Sequence, residues 1–322
     1  MTIVADGCRP LSSLDAGYAR RLAGRLEEHP CRFSKKGIVA NEVATAYRLY
    51  KDRLALEIEA SSALSGRVKF LELDYGGFAM AVKAGLQSII ASGSRHALVV
   101  QHDRAFCHPL AKEDLKSIFS HLESCAGCRY VGFPSGTSKL LAAKTAAVYK
   151  LDHLLAARTR QVRPGVRLVP CIHWLDSNHL VDARRALEMY SPYTHAPSWL
   201  MDRLGGAGLN RFRLRNGDFI EERFGVEQRQ LLAHTAHEPE ECMRIFDWFG
   251  SYMLEHKLDD EVALEAAQAA KDPRIDRMGR VTYVDHVDAR GSLPPSARRA
   301  GAARLAPKLK LRRAFPNSRT TV

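Results

Sequence analysis

Residues 68–104 read VKFLELDYGGFAMAVKAGLQSIIASGSRHALVVQHDR, and the pattern of this stretch decides the expected fold. Val68 to Leu73 is a short apolar-rich run that predicts a strand. Gly76 and Gly77 supply a turn, and Phe78, Val82, Leu86 and Ile89 then recur at helical spacing on one face. Ala97 to Val100 is an uninterrupted apolar run. Strand, glycine turn, helix and strand within this length make one βαβ unit. A strand buried on both faces belongs to a parallel sheet covered by helices.

The same alternation extends in both directions. Upstream, Met1 to Gly7 reads as a buried strand that stops at Asp6-Gly7. Ser12 can cap a following helix, with Asp15 in its first turn and Leu14, Tyr18, Leu22 and Leu26 on one side. Asn41 precedes a second helix bearing Val43, Tyr47, Tyr50, Leu54 and Ile58. Downstream come a helix near Leu115 to Leu122, a strand at Tyr130 to Phe133, a helix near Leu140 to Tyr149 and a strand at Val166 to Cys171. Past Trp174 the pattern turns helical: Met243 to Leu254 reads as one amphipathic helix and Val262 to Ala270 as another, with a last strand at Val281 to Val287. The expected fold class is α/β, a mostly parallel, Rossmann-like sheet with flanking helices and a helical C-terminal part.

Composition sets the outer limits. A chain of 322 residues with 46% hydrophobic and 26% charged residues can bury a sizeable core, which excludes a wholly disordered protein. The formal charge is +12. From Gly291 to Val322 acidic residues vanish while eight Lys and Arg accumulate, so the remainder carries only +4. That end reads as a disordered basic tail able to meet any polyanion through phosphate contacts. Phe315 is its one aromatic, too few for stacking on bases, which argues against nucleic acid as the partner. No stretch reaches the roughly 20 apolar residues of a membrane span. Seven cysteines, an odd number in a long chain, argue against a disulfide framework and for a reducing compartment. Three parts are expected: 1–175, 176–288 belonging to the same domain, and the tail 289–322.

In open parallel sheets ligands bind at the carboxyl ends of the strands. Three such ends carry polar residues: Asp6-Gly7, Gln101-His102-Asp103-Arg104, and His173-Trp174-Leu175-Asp176-Ser177. At the second, a carboxylate can hold a divalent cation, and the cation or Arg104 can neutralise a diphosphate. The plain alternative is that Asp103 caps a loop and Arg104 is its surface partner. At the third, His173, Trp174, Asp176 and His179 put an aromatic ring beside hydroxyl-binding groups, although an isolated tryptophan is more often a packing residue. Asn216 to Gly225 forms a fourth polar cluster. Cys125-Ala126-Gly127-Cys128 has zinc-site spacing, but its only candidate partner pair, His234 and His237, lies about a hundred residues away.

The run from Gly77 to Asp103 resembles the centre of the GT-A glycosyltransferases of the family-two type, and Ile3-Val4-Ala5-Asp6-Gly7 is similar to that family's second strand. The resemblance covers roughly Met1 to Leu232. It implies a sugar-nucleotide donor, UDP- or GDP-linked, and a carbohydrate or glycoconjugate acceptor. Asp6 and Gly7 would lie near the base. Asp103 and Arg104 would lie near the diphosphate, and Asp103 with His102 on a divalent metal, Mn²⁺ or Mg²⁺. An acidic pair after a Gly-x-Phe-like segment implies the catalytic base: Glu222 first, then Glu221, with Glu227 as the alternative in register, while Asp176 joins the acceptor side. One carboxylate stands at Gln101-His102-Asp103 where the family usually has two, and the family's first strand and helix are absent before Ile3. The sequence therefore reads as a fragment or as a chain that has lost part of its donor pocket. An anchor encoded upstream would make it Golgi or otherwise membrane-associated. The competing reading is a catalytically inactive α/β scaffold that binds nucleotide or an acidic polymer through the tail. A nucleotidyltransferase ranks below both, for want of a glycine-rich, Lys- or Arg-bearing loop after the first strand.

Overall fold

A computed structural model of the chain describes residues 1–28, 38–74, 77–101, 104–136, 138, 141–190, 195–209, 212–214, 218–257, 261–270, 275 and 280–286. In chain order it contains β1 (Thr2–Ala5), β2 (Arg9–Pro10), a 3₁₀ turn (Leu11–Ser13), α1 (Ala16–Glu28), β3 (Ile38–Val39), α2 (Asn41–Ala60), β4 (Lys69–Glu72), α3 (Phe78–Ala91), β5 (His96–Val99), β6 (Arg104–Phe106) and α4 (Lys112–Ser124). It continues with β7 (Tyr130–Gly132), α5 (Leu141–Tyr149), α6 (Asp152–Arg158), β8 (Arg160–Arg163), β9 (Val166–Pro170), β10 (His179–Asp182), α7 (Ala183–Met189) and α8 (Ser198–Leu209). A π-helical segment (Glu221–Gly225) leads into α9 (Val226–His234), followed by α10 (Pro239–Phe249), β11 (Ser251–His256), α11 (Glu261–Ala269) and β12 (Val284–His286).

The fold is mixed α/β, as the alternation of periods implies, but the principal sheet is not mostly parallel. Its six strands lie in the order β5-β10-β7-β11-β9-β8, and only the β7–β11 pair is parallel. Among the strands described, parallel pairing is confined to that pair and to the two-stranded ribbons β1–β4 and β2–β3. The two strands expected to form one βαβ unit therefore part company: β4 lies beside β1, and β5 beside β10. Helix α3 still links them, packing on both β1 and β5. The sequence misleads for a physical reason. The run Ala97–Val100 is not buried on both faces, since Leu98 and Val100 are exposed, and a short apolar run reads the same whichever way its neighbours point.

Strand β10 is the element that reverses the sheet. All four of its residues are buried, and it pairs antiparallel with β5 on one side and β7 on the other. It runs straight into α7, whose cap is its own last residue: Asp182 accepts from the Arg185 N–H at 3.2 Å and from Arg95 Nε at 3.0 Å. The core around the sheet is aromatic, with Tyr130, Phe133, Trp174, Phe246, Phe249, Tyr252 and Tyr283 all fully buried.

Two further expectations change. The helix expected to reach Leu254 ends at Phe249, and Met253 and Leu254 belong to β11. Gly250 makes the break, at a left-handed φ of 60°, and a Cβ there would lie 2.5 Å from the Gly127 carbonyl oxygen, so a side chain is excluded twice over. At the start of α1 it is Asp15, not Ser12, whose carboxylate accepts from helix N–H groups, those of Gly17 and Tyr18. The six-stranded sheet takes strands from both sides of residue 175. Residues 289–322, including the whole basic tail, lie outside the described residues. Among the described residues no helix is long and apolar enough to cross a membrane.

Candidate active site

Two chain segments meet at the end of β10. The loop from Cys171 to Asn178 precedes it, and the segment from Asp218 through the π-helical turn packs against that loop. They exchange hydrogen bonds. The Ile220 N–H donates to Asp176 Oδ1 at 3.0 Å, and the Asp176 N–H donates to Glu221 Oε2 at 3.4 Å. Each carboxyl group is thereby held by the other segment's backbone. The clamp closes through Gly225, where a Cβ would stand 2.5 Å from the Trp174 carbonyl oxygen and 2.7 Å from the His173 ring, so only glycine fits. Phe224 packs edge-on against Trp174 and Tyr190, and the Tyr130 hydroxyl donates to the Leu175 carbonyl at 3.3 Å. Single π-helical turns recur at functional sites because the wider turn re-aims its side chains. Here it directs Glu221 towards Asp176, while Glu222 is exposed.

The electrostatics of the pair are costly to the fold. Burial first, and then the Glu221 carboxylate, push the Asp176 carboxyl up to about 8, so it carries a proton at neutral pH. Asp176 Oδ2, the Tyr190 hydroxyl, Ser177 Oγ and Trp174 Nε1 are buried with no hydrogen-bond partner among the described residues. Such groups are uncommon in a packed interior and call for a water, a ligand or a catalytic role. His173 and His179, driven down to about 4 by burial, are neutral imidazoles at physiological pH.

The neighbouring strand end is tied to this loop by Asn178, which is fully buried. Its Oδ1 accepts from the Gln101 N–H at 2.9 Å, its Nδ2 donates to the Arg104 carbonyl at 3.0 Å, and its own carbonyl accepts from the Phe133 N–H at 3.0 Å. Arg104 thus sits one side chain away from the loop bearing Asp176, and its Nε is buried without a partner among the described residues. Asn178 is not among the residues that sequence pattern singles out. Its one signal is a polar Ser-Asn-His run just before an apolar Leu-Val, which marks a loop feeding a buried strand.

The sequence-based candidates separate accordingly. Asp176 and Glu221 come together, whereas Arg104 is joined to the same loop through its backbone carbonyl, which accepts from Asn178. Glu222, the first choice as base, faces outward, and Glu227 lies half-buried in the first turn of α9. Asp6 belongs to another cluster, on the β1–β4 ribbon. It accepts from the Tyr47 hydroxyl at 2.6 Å beside the Lys51–Glu72 ion pair, and Gly7 is buried next to it. Trp174 and His179 are core residues stacked on Tyr130, so they offer no wall to a sugar. His102, Asp103, Asn216 and Gly217 lie outside the described residues. Cys125 and Cys128 close a turn through a 3.0 Å backbone hydrogen bond and carry free thiols. Among the described residues no three His, Cys, Asp or Glu side chains converge on a point that would hold a metal ion, so no step below depends on one.

No family model matches the chain, and no curated protein or solved structure matches it.

Proposed function

We propose that the chain transfers a glycosyl group from a nucleotide-diphosphate sugar to an acceptor hydroxyl, with inversion. The observation that carries the reading is the Asp176–Glu221 pair, two carboxyl groups each clamped by a backbone N–H of the other segment. Asp176 holds a proton at neutral pH, and the reading assigns Glu221, its partner in the pair, as the base. Glu221 takes the proton of the acceptor hydroxyl as its oxygen bonds to the anomeric carbon. The bond from that carbon to the diphosphate breaks, its electron pair stays on the diphosphate, and the Arg104 guanidinium meets the new charge. The GT-A-type fold assignment that accompanies this reading rests on residues 77–103 and on Asp6-Gly7, not on the sheet, whose main body is antiparallel.

Calorimetric titration with UDP and GDP, with and without Mn²⁺, followed by turnover of the corresponding donor sugars, tests the proposal. Glu221→Gln should keep nucleotide affinity and lose roughly 10²-fold or more in turnover. Arg104→Ala should weaken nucleotide binding instead. Absence of nucleotide binding by the unaltered chain overturns the reading and favours the inactive scaffold.

A further inference from the structure

The turn Cys125-Ala126-Gly127-Cys128, which takes no part in the site above, joins the end of α4 to β7. Its two thiols differ in access. Cys125 is half-buried, whereas Cys128 is fully buried, and its thiol is pushed up first by burial and next by the neighbouring Cys125. The Cys128 N–H donates to the Cys125 carbonyl at 3.0 Å, which closes a β-turn. Turns of this kind hold their end Cα atoms within about 7 Å, and a disulfide spans roughly 4.4–6.8 Å between Cα atoms. Arg185 fixes the turn further. Its Nη1 donates to the Leu122, Cys125 and Cys128 carbonyls at 3.1, 2.9 and 3.2 Å, so both ends are pinned before any bond joins the sulfurs.

The space beside Cys125 selects what reaches it. Cys125 lines an open cavity of about 440 Å³ whose wall also includes Gly127, Arg158, Arg160, Asp247 and Tyr252, a volume in the range of small-molecule sites. The charges there do not cancel. Arg158 and Asp247 neutralise each other through two hydrogen bonds of 2.7 Å. Arg160 donates only to backbone, the Ala157 and Thr159 carbonyls at 2.9 and 3.1 Å, and pairs with no carboxylate among the described residues. We infer that Cys125 and Cys128 form a thiol–disulfide exchange site for a small anionic disulfide of the glutathione type, with Cys125 as the entry thiol, Cys128 as the resolving thiol and Arg160 receiving a carboxylate. The Cys125 thiolate attacks one sulfur of the disulfide, whose sulfur–sulfur bond breaks, and one glutathione leaves with the electron pair and takes up a proton. Cys128 then releases its proton to solvent and attacks Cys125 Sγ, expelling the second glutathione. Two protein thiols are oxidised and one small disulfide is reduced to two thiols. Burial keeps Cys128 protonated, so closure is the slower step.

Equilibrating the reduced full chain in glutathione redox buffers, followed by alkylation and peptide mass mapping, tests this. Oxidising ratios should yield a Cys125–Cys128 disulfide and leave the buried Cys171 and Cys242 as thiols. Cys128→Ser should stop at a glutathionyl group on Cys125, and Cys128→Ala, which keeps the buried position apolar, should do the same. Cys125→Ser should show neither product. Arg160→Ala, confirmed folded by circular dichroism, should slow glutathione capture roughly tenfold at low salt and leave capture of the neutral hydroxyethyl disulfide unchanged. No Cys125–Cys128 disulfide in the unaltered chain at the most oxidising ratio, or one that forms only in urea, overturns the exchange site. Equal slowing of both small disulfides by Arg160→Ala overturns the preference for an anionic one.

Discussion

Two aspartates in this chain are almost equally buried and face opposite surroundings. Asp114, in the first turn of α4 and 1% exposed, is ion-paired with Arg163 from β8. Asp176 is 7% exposed and faces Glu221, with one oxygen unpartnered among the described residues. The first is what a scaffold does with a buried charge: it supplies the opposite one. The second is a carboxyl kept where the fold alone would not keep it. A buried carboxylate paired with a cation holds the structure, and a buried carboxyl made to keep its proton beside a second one points to chemistry.

This contrast can be broken or sharpened in a graded series. The largest effect is on turnover, where Glu221→Gln is expected to cost roughly 10²-fold or more in a donor-sugar assay while the melting curve barely moves. Next is the clamp: Gly225→Ala forces a Cβ onto the Trp174 carbonyl and should cost about 2–3 kcal/mol in urea unfolding. Asp114→Ala removes the partner of a half-buried Arg163 and should cost about 2 kcal/mol in the same assay.

Asp176→Asn should behave in the opposite sense to Asp114→Ala, and in a pH-dependent way. Because the folded chain holds the Asp176 proton up to about pH 8 against an ordinary value near 3.8, its contribution to stability is complete below about pH 4. That contribution is lost as the pH rises towards 8. The amide cannot ionise, so thermal melts should show the variant gaining on the unaltered chain between pH 5 and pH 9. A constant difference across that range would mean that Asp176 is an ordinary carboxylate. The smallest effect belongs to a surface pair: Arg167→Ala, which frees Glu255 on β11, should shift stability by no more than about 0.5 kcal/mol.

Much of the architecture is legible in the order of the amino acids. The helices following Asp15 and Gly77 and the strands at Thr2–Ala5, Lys69–Glu72 and Tyr130–Gly132 all follow from period and punctuation. Strand direction is not legible, because a short apolar run reads the same beside parallel and antiparallel neighbours, and Ala97–Val100 keeps Leu98 and Val100 exposed. Nor is β10: His-Leu-Val-Asp is four residues long and flows into a helix without a turn. At the site, the resemblance to the GT-A glycosyltransferases nominates the acidic pair, and the polar run past a strand end nominates Asp176. That Glu221 rather than Glu222 meets Asp176 follows from the π-helical turn, which no spacing rule reports. Asn178 acts through three hydrogen bonds to separate segments, and long-range bonding leaves no local trace.

The strand order also constrains how the chain must come together in time. β5 and β7 are made early, yet neither pairs with the other; each waits for β10, about 50 residues after β7, and β7 then waits for β11, a further 70 or so residues on. At ordinary rates of synthesis the edges of β7 stay open for several seconds as the chain emerges. A ribosome-bound chain ending before residue 179 should therefore be sticky and protease-sensitive, and should become resistant only once Ser251–His256 has cleared the exit tunnel.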